Sequence, residues 1–259
     1  MAFKIIDAHM HLGPNPGRMV PDQTVESLVK QMDQLGIERC ISANRLSLRN
    51  LYEEGLANDL AASKKCGGRI YSFCLYAAQY ADKAVSSILA HKDDKRCVGL
   101  KVLPITDGIS ADSELYRPLW EAARTTGKAI MAHTWDVSTY NPTQHYAYPP
   151  KFEKWLAEYP DVTFVFGHSG GRYNGIKQAI ALGKKYPNAC FDIAGDIWPF
   201  GFLEELVENV GADRVIYGSD YTMIEARPML GVVYGSGLSN IEKEKILYHN
   251  AARVYFHEE

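Results

Sequence analysis

The sequence predicts an α/β protein in which eight strands and eight helices alternate and close into a (β/α)8 barrel. Short apolar runs rich in Ile, Val, Phe and Tyr recur along the chain, and amphipathic stretches separate them. The runs start about 25 to 35 residues apart, which suits βαβ units. The length of 259 residues is also the usual size of one such barrel.

The predicted strands are apolar on both faces, as expected for parallel strands that are buried beneath helices. They lie near residues 4–9, 37–42, 70–75, 97–102, 129–133, 162–166, 189–193 and 214–218. An open doubly wound sheet is the alternative, but it usually places a glycine-rich turn after the first strand. His9-Met10-His11 stands there instead, so the closed barrel is favoured.

The predicted helices are the amphipathic stretches between these runs. They lie near residues 22–35, 50–65, 80–91, 113–126, 150–159, 172–185, 201–210 and 239–250. The first opens with Pro21-Asp22, which can cap a helix, and stops at Gly36. No linker or break in composition interrupts the pattern, so residues 1–259 are predicted to form a single domain.

The composition argues against several classes of protein. Hydrophobic residues make up 46% and charged residues 23% of the chain, which is ordinary for a soluble globular protein. The net charge of −3 gives no electrostatic reason to expect binding to nucleic acid or to an anionic membrane surface. The sequence has no signal-peptide pattern and no segment as long as a membrane span. We therefore expect a cytoplasmic protein.

The cysteines are predicted to be buried free thiols. Their number is odd, none forms a C-x-x-C pair, and four of the five sit in or beside strand-like runs. They are Cys40, Cys66, Cys74, Cys97 and Cys190. This pattern fits a reducing cytoplasm better than disulfides or a zinc knuckle.

Four of the predicted strands end in side chains that bind metal ions. The first run is Ile5-Ile6-Asp7-Ala8-His9-Met10-His11, and His9 and His11 lie two apart, so both rings face the barrel axis. His133, His168 and Asp220 end the fifth, sixth and eighth runs. Because the carboxyl ends of barrel strands meet at one face, these groups predict a shared metal site.

Each of these residues also has a structural interpretation. Asp7 could orient the histidines, or it could bond to nearby backbone. A lone histidine such as His133 is more often structural than a ligand, and Asp220 stands where helix caps are common. The joint placement of all the groups at strand ends favours the metal site, because the structural interpretation requires the same coincidence four times.

Three other histidines and two further carboxylates are predicted to lie outside the site. His91, His249 and His257 fall on predicted helices or on the tail, and helices lie outside a barrel, so we expect them at the surface. Asp192 and Asp196 flank the end of the seventh run, where we expect capping or solvation in a loop.

The chain resembles the amidohydrolase superfamily, in the branch that includes the aminocarboxymuconate-semialdehyde and resorcylate decarboxylases and many metal-dependent hydrolases. The similar segments are Asp7-Ala8-His9-Met10-His11, Val98-Gly99-Leu100-Lys101-Val102-Leu103-Pro104, Ala132-His133-Thr134, Gly167-His168-Ser169-Gly170-Gly171, Tyr217-Gly218-Ser219-Asp220-Tyr221 and Asn250-Ala251-Ala252-Arg253. The resemblance implies a distorted (β/α)8 TIM barrel of the metal-dependent hydrolase type. It also implies one Zn²⁺ or similar ion near His9, His11, His133 and Asp220, with His168 as the catalytic histidine or an additional ligand.

The number of ions depends on Lys101, near the end of the fourth run. In other branches of the superfamily a lysine on that strand is carboxylated and bridges two metals. In this branch a lysine in a similar Gly-x-Lys setting usually accompanies one metal, so we expect one ion and keep two ions with carboxylated Lys101 as the alternative. Histidine and aspartate ligands suit Zn²⁺, Mn²⁺, Fe²⁺ or Co²⁺, and Zn²⁺ is the ion we expect.

The function that these residues favour is hydrolysis of a C–N or C–O bond in a small carboxylated substrate. A metal ion would activate water, Asp220 would accept its proton, and His168 would polarise the substrate carbonyl. The alternative is a non-oxidative decarboxylase, but the chain is short for one, because those enzymes usually carry longer insertions, and this favours the hydrolase. A barrel that binds a ligand without catalysis is the third hypothesis.

Four residues near the predicted strand ends are candidates for binding the substrate. Arg45 could pair with a carboxylate or be a solvated loop arginine. Trp135 and Asp136 follow His133 closely and could line the pocket. Arg172 follows a Gly-Gly pair, where it could bind an anion or begin a helix.

Two aromatic segments are further candidates for the mouth of the barrel. The loop 138–149 is rich in tyrosine and could form a lid or a partner interface. Trp198-Pro199-Phe200 follows the seventh run and could also reach the mouth. We expect a small-molecule substrate, no nucleic acid and no membrane, and the resemblance allows a homodimer.

Overall fold

The strands form one parallel sheet in a computed structural model that describes residues 3–13, 24–137, 140–197 and 199–258. The eight strands follow one another in sequence order around the sheet. They are β1 (Ile5–Met10), β2 (Ile37–Ser42), β3 (Ile70–Tyr76), β4 (Cys97–Val102), β5 (Ile130–His133), β6 (Phe164–Gly167), β7 (Ala189–Asp192) and β8 (Val215–Ile216). With helices between the strands, the predicted (β/α)8 TIM barrel is confirmed.

The described helices include one for every predicted amphipathic stretch. They are α1 (Val25–Leu35), α2 (Tyr52–Lys65), α3 (Ala81–Ala90), α4 (Pro104–Asp107), α5 (Arg117–Thr126), α6 (Glu153–Glu158), α7 (Asn174–Lys185), α8 (Phe202–Val210), α9 (Arg227–Gly235), α10 (Asn240–Glu244) and α11 (Asn250–Phe256). A π-helical turn over Lys245–His249 joins α10 to α11, so the last predicted helix continues beyond residue 250. None of the described helices is long and apolar enough to cross a membrane.

Two of these helices were not predicted from the sequence. The four residues of α4 are too few to show a helical period, and the chain opens there with a proline. The segment that forms α9 contains a proline and two glycines, which are residues typical of turns. In both cases the local composition does not predict a helix, and tertiary packing stabilises the one that forms.

The first helix begins at a threonine cap. The Thr24 hydroxyl oxygen accepts a hydrogen bond of 3.2 Å from the backbone N–H of Ser27, which satisfies one of the free donors of the first turn. The predicted cap, Pro21-Asp22, lies outside the described residues. The helix ends as predicted at Gly36, whose φ of 72° is left-handed and costs glycine little.

Hydrogen bonds between β1 and the chain around β8 close the barrel. The Ala8 N–H donates to the Tyr217 carbonyl at 3.1 Å, and the Asp220 N–H donates to the His9 carbonyl at 2.8 Å. Met10 and Tyr221 add an isolated parallel bridge. The two ends of the sheet therefore meet, and the residues that follow β8 lie beside the end of β1.

Apolar side chains pack on both sides of the sheet. One buried cluster lies between the strands and the surrounding helices and contains Trp120, Trp155 and Phe164. A second cluster joins alternate strand residues such as Met131 and Val165 to Tyr255 of α11. These two layers fix the strands, and the strand ends are where the predicted functional residues lie.

Four of the five cysteines are buried and all five are free thiols. The exception, Cys66, is half-buried at the end of α2. This arrangement agrees with the thiols expected from the sequence.

Asp59 of α2 is a buried carboxyl group that joins the helix to β2 and β3. It accepts hydrogen bonds from the Asn44 amide at 2.7 Å and from the Ser72 hydroxyl at 3.0 Å. Burial nevertheless raises its pKa from 3.8 to about 7. A carboxyl whose folded pKa is raised contributes stability that is present below its unfolded pKa and is lost as the pH rises through the folded pKa.

We expect Asp59→Asn to gain stability relative to the wild type as the pH rises from 4 to 8. The amide keeps the shape of the side chain but does not ionise, so the difference in free energy of unfolding should change by up to ~4 kcal/mol across this range. Urea unfolding of both proteins at several pH values measures it. A difference that stays constant with pH would contradict the assignment.

Candidate metal centre

The candidate ligands and catalytic residues lie at the carboxyl ends of five strands. They are His9 of β1, His11 just after β1, Lys101 of β4, His133 of β5, His168 after β6 and Asp220 after β8. The ring centres of His9 and His168 are 4.8 Å apart, and those of His133 and His168 are 4.9 Å apart. The fold therefore gathers distant parts of the sequence into one cluster.

The most compact part of this cluster consists of His9, His168 and Asp220. Each offers one ligand atom, and these atoms all lie within 4.8 Å of one another. His11 joins them through Asp220, since its Nε2 lies 3.1 Å from the Asp220 Oδ1 atom. The geometry thus places His168, which the resemblance gave as the catalytic histidine or an additional ligand, among the central groups.

The hydrogen bonds of three imidazoles decide which ring nitrogen carries a lone pair. The Nδ1 atoms of His11 and His168 lie 2.7 Å and 2.9 Å from the carbonyl oxygens of Ala43 and Ala194. A carbonyl only accepts, so each Nδ1 carries the hydrogen and each Nε2 carries the lone pair. His11 and His168 are therefore held in the form that a metal ion needs.

His9 is held in the same way by a carboxylate. Its Nδ1 lies 2.8 Å from Asp192 Oδ2, so Nδ1–H donates and the lone pair is on Nε2. Burial, followed by the nearby Lys101 charge, lowers the pKa of His9 to about 3. The ring is therefore neutral at ordinary pH, as a metal ligand must be.

His133 is oriented differently from the other three histidines. Its Nε2 lies 2.9 Å from the Gln144 side-chain oxygen, which accepts, so Nε2 carries the hydrogen. The ring stacks on Trp135 with centres 6.0 Å apart. Burial, then the neighbouring His168, lowers the pKa of His133 well below its ordinary value. To bind an ion through Nε2, His133 would first have to leave Gln144.

The charges around the cluster suit a cation. Burial opposes ionisation of Asp220, but the His11 hydrogen bond and the neighbouring imidazoles outweigh it and lower the pKa of the carboxyl group. His11 Nε2 and Asp220 Oδ1 are two acceptors 3.1 Å apart, an arrangement that requires a proton or a cation between them. Neutral imidazoles beside an ionised carboxylate are a donor set that fits a divalent transition-metal ion.

Lys101 is the one buried amine in contact with these groups among the described residues. Its Nζ lies 2.8 Å from His9 Nε2, and burial lowers its pKa from 10.5 to about 8. The amine donates to the same nitrogen that would bind an ion. An ion and the Lys101 amine therefore compete for His9.

Asp7 does not share the face of His9, contrary to the expectation from strand alternation. Asp7 pairs with Cys40 and Met10 pairs with Ser42, so β1 contains one extra residue there, and this shifts the alternation. The carboxyl group of Asp7 accepts from the Ser219 backbone and hydroxyl at 3.0 Å and 2.6 Å. The structural interpretation of Asp7 is therefore the one that the geometry supports, and burial raises its pKa to about 7.

Asp192 is a functional candidate that the sequence analysis assigned to capping or to a solvated loop. It is fully buried, and it accepts from the backbone N–H groups of His168 and Ala194 as well as from His9. The solvated alternative was therefore wrong, although the carboxylate does cap backbone donors. The sequence did contain a signal for a functional role, because Asp192 ends an apolar run as Asp220 does.

The positions of Gln144 and of three other histidines differ from one another: Gln144 contacts His133 in the cluster, and the three histidines lie away from it. Gln144 lies in a 3₁₀ helix, Pro142–Ala147, within a segment predicted as a loop. Nothing in the sequence pointed to its contact with His133. His249 and His257 are exposed, and His91 is half-buried, with Nδ1 2.9 Å from the Ser87 carbonyl. None of these three approaches the cluster, in agreement with the expectation.

The substrate-binding candidates differ in how directly they contact the cluster. Trp135 packs its ring against His168 with centres 5.3 Å apart, and the Arg172 guanidinium lies 5.8 Å from the Trp135 ring. Arg172 is exposed and forms an ion pair with Asp196. Arg45, after β2, contacts the Met223 sulfur in the loop after β8 at 2.7 Å.

The remaining loop candidates are less closely connected to the cluster. Asp136 is half-buried, and its backbone approaches Gly175 at the start of α7. Tyr140 and Phe200 are almost fully exposed. Residues 138–139 and Trp198 lie outside the described residues.

The geometry defines a barrel with a histidine-rich candidate metal site at the carboxyl ends of its strands. Residues 6–256 match the family model described as Amidohydrolase. The chain belongs to the amidohydrolase family, which confirms the resemblance carried by its motifs. No curated protein sequence matches the chain.

Several solved structures share the fold at low sequence identity. The 5-carboxyvanillate decarboxylase LigW from Sphingomonas paucimobilis is 14% identical, with a TM-score of 0.74 over 98% of this chain and 99% of that chain. The 2,6-dihydroxybenzoate decarboxylase from Rhizobium is 15% identical, with a TM-score of 0.74 over 98% and 99%. The 5-carboxyvanillate decarboxylase from Novosphingobium aromaticivorans, complexed with manganese, is 14% identical, with a TM-score of 0.77 over 97% and 96%.

We expect purified protein to carry one divalent ion per chain and to lose it on dialysis against a chelator. His11→Asn should weaken binding of added Mn²⁺ or Zn²⁺ by at least ~10-fold, because it removes a held lone pair. The exposed His249→Asn is the matched control and should bind as the wild type does. Elemental analysis and competition with a chromophoric chelator measure both.

Two ions per chain together with a carboxylated Lys101 would contradict the single-ion expectation. Equal binding by His11→Asn and the wild type would contradict the assignment of His11 as a ligand.

Proposed function

We propose that the protein is a metal-dependent, non-oxidative decarboxylase of a small carboxylated aromatic substrate. The observation that carries the proposal is the convergence of His9, His168 and Asp220 within 4.8 Å at the mouth of an amidohydrolase barrel. The decarboxylases among the similar structures act on carboxylated aromatic rings, as their names state. They favour this alternative over the hydrolase that the sequence analysis preferred.

Length does not argue against a decarboxylase. The sequence analysis favoured hydrolysis because decarboxylases of this branch usually carry longer insertions. The chain nevertheless covers 99% of the Sphingomonas paucimobilis and Rhizobium decarboxylase chains. The length of the chain therefore no longer favours hydrolysis over decarboxylation.

The walls of the site support an aromatic, anionic substrate. Trp135 offers a flat apolar surface beside His168, on which an aromatic ring can pack. Arg172 lies over the same indole ring, and Arg45 contacts Met223 in the loop after β8. A guanidinium group can bind a carboxylate through two parallel hydrogen bonds. We therefore propose that Arg45 and Arg172 bind the substrate carboxylate. We also propose that Trp135 and Asp136 line the substrate pocket.

We propose that His9, His11, His168 and Asp220 hold the ion, with His133 joining them if it leaves Gln144. A bound divalent ion supplies positive charge that offsets the charge of a carboxylated substrate. We retain Zn²⁺ as the expected ion, and Mn²⁺ is the alternative because two similar decarboxylase structures contain it.

Decarboxylation adds a proton to the ring carbon that bears the carboxyl group and then breaks the bond between that carbon and the carboxyl carbon. The bond electrons return to the ring, and CO₂ leaves. We propose that the ionised Asp220 carboxylate takes a proton from a substrate hydroxyl group and passes it to the ring carbon. Where His168 is not a ligand of the ion, we propose that its Nε2 accepts a hydrogen bond from a substrate hydroxyl group. Proton transfer by a positioned group typically contributes ~10²–10⁴-fold to the rate.

The reaction class can be tested with a panel of carboxyl-labelled hydroxybenzoates and of aryl esters, lactones and amides. We expect release of labelled CO₂ from a carboxylated ring, only with a divalent ion present, and no cleavage of the ester, lactone or amide. Mass spectrometry of the headspace and chromatography of the products measure both. Cleavage of a C–N or C–O bond without CO₂ release would favour the hydrolase.

We expect Asp220→Asn to lower kcat by at least ~10²-fold while it retains much of the bound metal, because the amide cannot transfer the proton. Steady-state kinetics and elemental analysis of the same sample separate these effects. The matched control is Asp107→Asn, a buried carboxyl group that accepts from Tyr116 and the Ala78 backbone and lies outside the cluster. Unchanged turnover in Asp220→Asn would exclude the proton-transfer role.

The proposal also concerns the location of the protein and its oligomeric state. We propose that the protein acts on a free small molecule in the cytoplasm, as one catalytic domain that can pair as a homodimer. Sedimentation analysis tests the dimer.

A further inference from the structure

One buried carboxylate touches two separate parts of the metal centre. Asp192 Oδ2 accepts from Nδ1 of His9 at 2.8 Å, although the two residues are 183 positions apart. Asp192 Oδ1 accepts from the backbone N–H of His168 at 2.9 Å and from the N–H of Ala194 at 2.9 Å. Its side chain is fully shielded from solvent, so no water competes for these bonds.

The two oxygens of Asp192 have different tasks. Oδ1 holds the backbone at His168, where φ is +63°, a left-handed conformation that a side-chain-bearing residue rarely adopts. Oδ2 accepts from the His9 imidazole and fixes which nitrogen of that ring carries the hydrogen. The carboxylate therefore sets both the backbone position of one candidate ligand and the tautomer of another.

A glycine makes this contact possible. A Cβ atom at Gly218 would lie 2.8 Å from Asp192 Oδ2 and 2.6 Å from the His9 Cβ, distances at which something must shift. The absence of a side chain at Gly218 leaves the space in which the carboxylate meets the ring. The contact is thus built from three strands, β1, β7 and the end of β8.

We propose that Asp192 is a positioning residue that presents His9 and His168 to the metal ion. It acts by keeping the hydrogen of His9 on Nδ1, so that Nε2 keeps its lone pair for the ion. The inference rests on the proposed metal site, and it does not depend on which reaction the site performs. Partners of this kind are known to change metal affinity about 10–100-fold when they are removed.

Asp192→Asn separates the two tasks because it keeps the size of the side chain. The two backbone N–H groups both donate to Oδ1, so the amide oxygen would remain with them and the NH₂ group would face His9. An NH₂ group donates and does not accept, so the hydrogen on Nδ1 would lose its acceptor. His9 would then move its hydrogen to Nε2, displacing the Lys101 amine that donates there. That tautomer has no lone pair toward the ion.

We expect Asp192→Asn to bind Mn²⁺ or Zn²⁺ about 10–100-fold more weakly than the wild type, measured by competition with a chromophoric chelator. Long-range ¹H–¹⁵N correlation spectra of the metal-free proteins, with the His9 signals assigned by substitution, report the tautomer directly. The wild type should show the hydrogen on Nδ1, and the variant should show it on Nε2. Asp107→Asn is the control that changes neither quantity.

Three results distinguish the possible failures. If the wild type binds no metal ion, the proposed function fails. If the wild type binds the ion and Asp192→Asn binds it equally well, this inference fails while the proposed function stands. If the variant does not fold, the wild-type spectrum still decides, because a His9 hydrogen on Nε2 would overturn the positioning role.

Discussion

The hydrogen bonds that close the barrel between β1 and β8 are the constraint on which the candidate site depends. The Ser219 and Asp220 N–H groups both donate to the His9 carbonyl, at 3.2 Å and 2.8 Å. The same backbone contact therefore brings the His9 imidazole of the first strand next to the Asp220 carboxylate that follows the last strand. Asp7 reinforces it from the other face of β1, where its carboxyl group accepts from Ser219. Buried polar groups must be paired, and a shift of β1 relative to the chain after β8 would leave these groups unpaired. The hydrogen bonds that close the barrel therefore fix the register between its two ends.

The conformation of the backbone around the site is strained, and hydrogen bonds support the strain. His168 and Ser169 have φ values of 63° and 49°, and Asp220 has a φ of 61°, each in the left-handed region that costs most residues of order 1 kcal/mol or more. Asp192 accepts from the His168 N–H, and the Thr134 hydroxyl accepts from the Gly170 N–H at 3.0 Å. Two central groups of the cluster thus occupy positions that the rest of the barrel must hold in place.

The strands were predictable because both of their faces are apolar, and β2 and β4 have the predicted bounds. The extra residue in β1 was not predictable, since it depends on pairing with β2, and it moved Asp7 away from the face of His9. The metal residues were visible as histidines and an aspartate at strand ends. Asp192 carried the same signal but was read as a cap, because its role depends on a contact with His9 that only the closed barrel creates.

The charge balance of the site argues for an anionic substrate. Asp192 and Asp220 are buried, and their pKa values are lowered by the neighbouring imidazoles against the effect of burial, so both are ionised. Together they match the charge of one divalent ion. Lys101, whose pKa burial lowers to about 8, adds a buried basic amine to the site. When that amine is protonated it needs a partner, and the carboxylate of the proposed substrate would supply one where a neutral ester or amide would not.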